Sequence, residues 1–436
     1  MKRILTLLGT VLLCLTSIIL PVKAATIASG TCGDSLTWTL ADTGTLTISG
    51  TGEMYDFYYD NGVWTNPWMS YAGDIKKVLI KQGVTGIGEW AFGYCRNLFS
   101  ITLPESVTSI GDRAFYDCSS LISITLLEGV MSIGEDAFYN CSSLTSIILP
   151  ESLTSIGDWA FYNCSTLTSI TIPEGVTSIG GWAFSDCSSL TSIILPESLT
   201  SIGGWAFYNC STLTSITIPE GVTSIGRSTF GRCSSLTSIA LPESVTSIGI
   251  WAFYNCSSLT SITLPEGMTS IGEGTFDSCS RLTSIILPEN VTSIGTWAFA
   301  SCSSLTSITL PEGVTSIGER TFDSCSSLTS ITLPEGVTSI GVVAFRNCSS
   351  LTSIILPESV TSIEGWAFVN CSGLTQITVQ AVIPPMVGDS AFSSVSRDIP
   401  VYVPAESLEA YQKADVWKEF NLQGMDSKPA SVLSQL

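Results

Sequence analysis

Thirteen cysteines recur at a constant interval of 23 residues along most of this 436-residue chain. No residue is inserted or lost between the first of them, Cys95, and the last, Cys371. A fixed period of this length is typical of solenoids, in which each repeat forms one coil and stacks on its neighbours. The period therefore predicts one continuous stack of about thirteen coils.

Each repeat contains an apolar alternation that is typical of a strand. In the repeat 141–163, Leu144, Ile147 and Leu149 have the spacing L-x-x-I-x-L, and Pro150 follows them. Alternate side chains of a strand share a face, and proline ends a strand because it has no backbone N–H to donate. We expect these strands to stack in parallel, one in each coil, which makes the fold mainly β.

The second half of the repeat predicts a return path to the next coil. Leu153 and Ile156 indicate a second short extended segment, and Gly157 suits a tight corner because glycine has no Cβ. Ala160 and Phe161 are expected to point inward. One coil buries too little apolar surface to offset the entropy of ordering its backbone, so the stack needs a cap at each end.

Both ends contain patterns that predict such caps. Apolar residues alternate on each side of Asp42-Thr43-Gly44, which predicts a β-hairpin. At the other end, residues 405–420 predict a closing helix that contains Leu408, Tyr411 and Trp417. The predicted organisation is a signal peptide at 1–24, an N-terminal cap at 25–74, the solenoid at 75–404, and a capping helix with a tail at 405–436.

The first 24 residues predict export. Lys2 and Arg3 precede an apolar run that ends at Leu20, and small residues surround Lys23. This order is typical of a secretory signal peptide, with cleavage expected near Ala24. We therefore expect a secreted or cell-surface protein.

Composition excludes several classes of function. The chain has no histidine and only 12% charged residues, which removes Ser-His-Asp catalysis and histidine-ligated zinc. Cleavage after Ala24 would leave 14 basic residues against 37 acidic ones, a formal charge of −23 (14 minus 37). Such a charge repels nucleic acid and anionic lipid. We expect no enzyme activity, no cofactor and no metal site.

The repeat also resembles a known family. Its consensus, C-x-x-L-x-x-I-x-L-P-E-x-V-T-S-I-G-x-x-A-F, is similar to the BspA-like, Treponema pallidum-type leucine-rich repeat of bacterial cell-surface proteins, over about residues 75–404. The resemblance implies a leucine-rich-repeat solenoid, surface exposure and adhesion to host or neighbouring-cell proteins. Leu127 replaces the proline, Glu364 replaces the corner glycine, and Val395 replaces the last cysteine.

The cysteine column and the glutamate column contain residue types that can form disulfides or bind metal ions. Parallel Cβ vectors in the cysteine column do not have disulfide geometry, so we expect buried free thiols. The glutamate column, Glu105 to Glu358, predicts a solvated acidic rim, with calcium binding as the alternative.

The outward surface of the first strands is the predicted binding surface. It presents hydroxyl and apolar side chains in register and no acid–base pair. The candidate contact residues are Ser146, Ser169, Thr171, Ser192, Ser215 and Thr217. We expect a monomer that binds extracellular or host proteins through many equivalent contacts.

A tryptophan column supports the alternative, a carbohydrate-binding module. The candidate residues are Trp159, Trp182, Trp205, Trp251 and Trp297. Open aromatic rings stack on sugars, whereas the opposing interpretation is that these rings shield the side of the coil.

Overall fold

The computed structural model describes residues 24–425. The predicted signal segment therefore lies outside the described residues, except for Ala24. The described chain is a parallel β-solenoid in which most coils contain two short strands and a turn segment. Strand pairing keeps the 23-residue period, as in the partners Ser169 and Ser192.

The first strand of each coil continues the apolar alternation seen in the sequence. These strands are Lys77–Ile80, Ser100–Thr102, Ser123–Thr125, Ser146–Ile148, Ser169–Thr171, Ser192–Ile194, Ser215–Thr217, Ser238–Ala240, Ser307–Thr309, Ser330–Thr332, Ser353–Leu356, Gln376–Val379 and Pro400–Pro404. In the two coils between Ser238–Ala240 and Ser307–Thr309, single bridges at Thr263 and Ile286 take their place.

Thirteen strands and two bridges make fifteen coils, so the expected number of thirteen was too low. The cysteine column misses the end coils because Ala72 and Val395 occupy its place there. Both side chains are buried, so the terminal coils keep the apolar position without the thiol.

The second strands form a separate parallel arrangement with the same period. They are Val84–Ile87, Ser109–Ile110, Ser132–Ile133, Ser155–Ile156, Ser178–Ile179, Ser201–Ile202, Ser224–Ile225, Ser247–Ile248, Ser270–Ile271, Ser293–Ile294, Ser316–Ile317, Ser339–Ile340, Ser362–Ile363 and Met386–Val387. Each presents its isoleucine, or Val387 in the last, toward the interior.

The turn segment adds a third line of hydrogen bonds between coils. The N–H groups of Trp159 and Phe161 donate to the carbonyls of Gly181 and Ala183 in the next coil, each at 2.8 Å. Intervening N–H groups close turns within their own coil, as Ala160 does with Gly157. Alternate peptide groups therefore face the next coil, although the segment is not a strand.

The corner glycine has a different role from the one expected. Gly157 does not adopt a positive φ. A Cβ at this position would instead lie 2.8 Å from the carbonyl carbon of Gly134 in the previous coil, so the residue permits close stacking. Near the C-terminal end Glu364 occupies the same column, and its N–H still donates to Ile340 at 2.9 Å.

The N-terminal end contains the predicted hairpin and one strand more. Leu36–Ala41 pairs antiparallel with Thr45–Gly50, and Thr26–Gly33 adds a third antiparallel strand. Thr45–Gly50 then pairs in parallel with Lys77–Ile80, which joins the cap to the solenoid. The remaining elements are the short strands Gly52–Glu53, Tyr59–Asp60 and Val63–Trp64 and the 3-10 helix Met69–Tyr71.

The C-terminal cap is helical, but the helix is shorter than the predicted 405–420. The elements are the 3-10 helix Ala405–Ser407, the α-helix Leu408–Lys413, the 3-10 helix Trp417–Glu419 and the strand Asn421–Met425. Ala414 has an extended backbone, which ends the α-helix. The last strand pairs in parallel with Pro400–Pro404.

A column of stacked phenylalanines forms the centre of the core. Neighbouring rings from Phe92 to Phe392 lie 5.1–5.6 Å apart between centroids, in nearly parallel planes. Burying one such side chain contributes about 2 kcal/mol. Trp68 stacks on Phe92 at one end and Trp417 covers Phe392 at the other.

Candidate interaction surface

The outward surface of the first strands presents exposed serines in register. Ser169 lies opposite Ser192 and Thr171 opposite Ile194, while the isoleucines between them are buried. Five of the six predicted contact residues, all but Ser146, belong to these two strands or to Ser215–Thr217, and all six side chains are exposed. The structure therefore places the predicted residues on one surface.

The hydroxyl groups of this surface differ in their availability. Within residues 24–425 the Ser146 and Ser169 hydroxyls have no hydrogen-bond partner, so they remain available to a ligand. The threonine one position earlier is occupied, because the Thr145 hydroxyl donates to the Ile122 carbonyl at 3.1 Å. The Thr171 and Thr217 hydroxyls also have no partner in the described part of the chain, so serines and these threonines supply the free donors and acceptors of the surface.

Isoleucines interrupt the hydroxyl surface at intervals. Ile148, Ile194 and Ile286 occupy the place of Thr171 in their coils and are 61%, 63% and 85% exposed. Such large apolar side chains on an otherwise polar sheet add contact area for a partner protein.

Sequence reasoning missed two apolar residues at the N-terminal end of the same surface. Phe99 and Ile122 occupy the threonine column and are 38% and 50% exposed. Their departure from the repeat consensus at one column in successive coils was the available signal.

The candidate tryptophans do not provide open aromatic rings. The Trp159, Trp182 and Trp205 rings stack on one another with centroids 4.9 and 4.5 Å apart. The Arg227 guanidinium lies 5.2 Å from the centroid of the last ring of this group. The faces that would stack on a sugar are therefore largely covered, as the shielding interpretation predicts.

The other two candidate tryptophans lie apart from this group. The Arg320 guanidinium covers Trp297 at 4.2 Å from the ring centroid. The Trp251 ring lies over Gly274, where a Cβ would be 2.3 Å from the ring. The five residues do not form one continuous aromatic platform.

The cysteine column consists of buried free thiols in the part of the chain that the structure describes. Each repeat thiol from Cys118 onward donates to a phenylalanine carbonyl, as Cys141 does to Phe115 at 3.2 Å. Burial raises the pKa of Cys95 and of Cys233 to about 12. These thiols pack as small apolar groups and are poorly placed to react.

The glutamate column lies at the surface. One Glu128 carboxylate oxygen accepts the Glu151 N–H at 3.2 Å, so a member of the column caps the next coil. Between residues 24 and 425 no group of three acidic, cysteine or histidine residues is arranged to hold a metal ion. The same residues include no helix long and apolar enough to span a membrane.

The repeats match a known protein family. The family model described as BspA type Leucine rich repeat region matches residues 69–190, 154–282 and 269–398. No curated protein gives a significant match.

Solved bacterial structures are similar to the chain. A leucine-rich repeat protein from Bacteroides ovatus has 30% identity and a TM-score of 0.70, over 90% of this chain and 99% of that one. One from Eubacterium ventriosum has 26% identity and a TM-score of 0.47, over 73% and 95%. A leucine rich cell surface protein from Faecalibacterium prausnitzii has 29% identity and a TM-score of 0.43, over 70% and 94%.

The family match covers most of the chain, and the Bacteroides ovatus structure is matched over nearly its whole length. Leucine-rich repeat proteins of this kind are generally non-catalytic and typical of protein interaction at surfaces. The chain belongs to the BspA-type leucine-rich repeat family.

Proposed function

We propose that this protein is an exported, non-catalytic adhesin-type protein that binds extracellular or host proteins as a monomer. The observation that supports the proposal best is the outward first-strand surface, where unpartnered serine hydroxyls and exposed isoleucines repeat in register. A partner that lies along this surface meets similar groups in successive coils. Many weak contacts then add up to useful affinity.

The acidic charge of the chain and its predicted export support the same proposal. The acidic rim repels polyanions and keeps a long apolar stack soluble. The basic and apolar start of residues 1–24 supports export. The covered tryptophan faces give the carbohydrate-binding alternative no structural support.

The test places a bulky charge on the proposed surface. The triple variant Ser192→Arg, Ser215→Arg and Ser238→Arg alters three exposed first-strand serines. The matched control is Ser201→Arg, Ser224→Arg and Ser247→Arg, which alters exposed second-strand serines of the same three coils. Each variant and the unmodified chain are presented to a panel of extracellular matrix proteins beside a glycan array.

The first-strand variant should lose binding to matrix proteins, and the control should keep it, because both add the same charge to different surfaces. Equal loss in both variants, or binding to glycans alone, would contradict the proposed surface. Circular dichroism of each variant checks that the solenoid is intact.

A further inference from the structure

Basic residues are concentrated at the N-terminal end of the outward surface. Lys76, Lys77 and Lys81 are exposed and belong to the first coil. The next lysine in the chain is Lys413. Among residues 24–425 none of the three forms an ion pair with a carboxylate, although the chain is strongly acidic. Their charges are therefore available to a partner.

Exposed apolar side chains adjoin these lysines. The Phe99 N–H donates to the Lys76 carbonyl at 3.0 Å, and the Ile122 N–H donates to the Phe99 carbonyl at 3.5 Å. The Lys77 ammonium lies 5.5 Å from the centroid of the Phe99 ring. The later coils from Thr145 to Thr375 have threonine in this column, so the lysines and the large apolar side chains adjoin at its N-terminal end.

The sheet is also partly open at the same place. Ser100–Thr102 and Ser123–Thr125 share a single pair of partners, Ser100 and Ser123, whereas Ser123–Thr125 and Ser146–Ile148 share three. Ile101 is partly exposed there, although the equivalent isoleucines of later coils are buried. Leu127, in place of the usual proline, helps line a depression of about 270 Å³.

We propose that this basic–apolar patch, formed by Lys76, Lys77, Phe99, Ile122 and the depression, binds a protein segment that has carboxylates beside a large apolar side chain. The lysines would pair with the carboxylates, and the apolar side chain would enter the depression beside Ile101. Charge complementarity favours this partner, because the lysines are unpaired. A long polyanion is disfavoured because the rest of the surface is acidic.

This inference rests on the proposed function and adds a specific anchor to the repetitive surface. The probe is a displayed library of random dodecapeptides, selected on the whole chain after signal removal. Enriched peptides are then synthesised with a fluorescent label, and their affinities are measured by anisotropy. Enrichment of acidic peptides that contain leucine or phenylalanine is expected.

Two variants assign the binding site. The variant Lys76→Glu with Lys77→Glu should lower the affinity for these peptides by about tenfold or more, because it reverses the complementary charges. The variant Phe99→Thr with Ile122→Thr should lower the affinity for these peptides several-fold. This variant is expected to fold because it restores the consensus threonine. The matched control, Thr306→Glu with Ser307→Glu, alters the same two columns ten coils away and should leave affinity unchanged.

Three results would overturn the patch: no enriched peptide, enrichment of peptides without carboxylates, or equal weakening in the control. Matrix-protein binding by the Lys76→Glu, Lys77→Glu variant separates the two proposals. If that binding persists while the peptide result fails, only the patch is wrong. If no matrix protein binds the unmodified chain, the proposed function itself fails.

Discussion

Two turn-segment residues in each of the first fourteen coils adopt a left-handed backbone, and only one of them, Gly274, is glycine. Trp159 has φ of 52° and Asn163 has φ of 54°. For most L-residues this conformation costs about 1–2 kcal/mol. The N–H groups of both residues donate to the next coil at 2.8 Å, and those bonds offset the cost. Inter-coil hydrogen bonding thus dictates the backbone of this segment.

This conformation was not predictable from the residue types in the tryptophan column. Left-handed turns are expected at glycine or asparagine, and this column contains tryptophan, arginine and even Val343. The buried columns were predictable, because apolar periodicity reports directly which side chains face the core. The outward position of the serines was predictable for the same reason, whereas the opening at Ile101 depends on pairing details that no residue pattern reports.

The buried side chain of Asp277 gives a prediction about how the free energy of unfolding depends on pH. Burial raises the pKa of Asp277 above its ordinary value of 3.8, although the Ser278 hydroxyl donates to it at 2.9 Å. The folded state therefore holds this proton more tightly, and stability falls as the pH rises through the folded-state pKa. Asp277→Asn should raise the free energy of unfolding at pH 7, and the gain should shrink as the pH falls toward 3.8.

Asp323 provides the matched control, because the Arg346 Nε donates to it at 2.9 Å. Asp323→Asn removes a charged acceptor and should lower the free energy of unfolding by about 1–2 kcal/mol at pH 7. Thermal unfolding at several pH values measures both variants. Destabilisation by Asp277→Asn at pH 7 would contradict the inference that the hydrogen bond from Ser278 only partly offsets the burial of this carboxyl.

At the scale of the elements, the two caps cover the apolar ends that the stacked coils would leave exposed. Trp68 and Trp417 are fully buried at the two ends of the phenylalanine column. Their indole N–H groups donate to Ala91 and Pro385, at 2.8 and 2.9 Å. Each cap therefore both covers the end ring of the phenylalanine column and satisfies a backbone carbonyl.

The caps were only partly predictable. The hairpin followed from alternating apolar residues around a turn sequence. The strand Asn421–Met425 has no such alternation, because it is largely exposed and pairs through its backbone with Pro400–Pro404. The helix ends early because Ala414 is extended and Val416 has φ of 67°, neither of which the residue types indicate.

Removing the C-terminal cover should have a local effect. Trp417→Ala deletes a buried ring over Phe392 and should cost about 3–5 kcal/mol. In a stack of nearest-neighbour interactions the loss should be confined to adjacent coils. Hydrogen exchange should show reduced protection near the C-terminal end and unchanged protection near Phe230. Trp366→Ala, at a half-exposed position, is the control with little effect. Uniform loss of protection along the chain would contradict this picture.

At the scale of the whole molecule, the repeat separates folding from binding. Each coil contacts its neighbours through the same phenylalanine, cysteine and isoleucine columns, so whole repeats are interchangeable units. The same regularity multiplies the outward contacts. Deleting repeats should therefore shorten the binding surface without destroying the fold.

The most direct measurement is affinity for a bound matrix protein as a function of repeat number. Removing residues 187–232 deletes two repeats, and removing 187–278 deletes four, with the register kept. We expect both deletions to unfold cooperatively and the affinity to fall by a similar factor with each pair of repeats removed. Binding of acidic peptides to the basic–apolar patch should stay unchanged, which serves as an internal control. Matrix affinity that is unchanged, or abolished at the first step in a folded protein, would contradict binding through a repetitive surface.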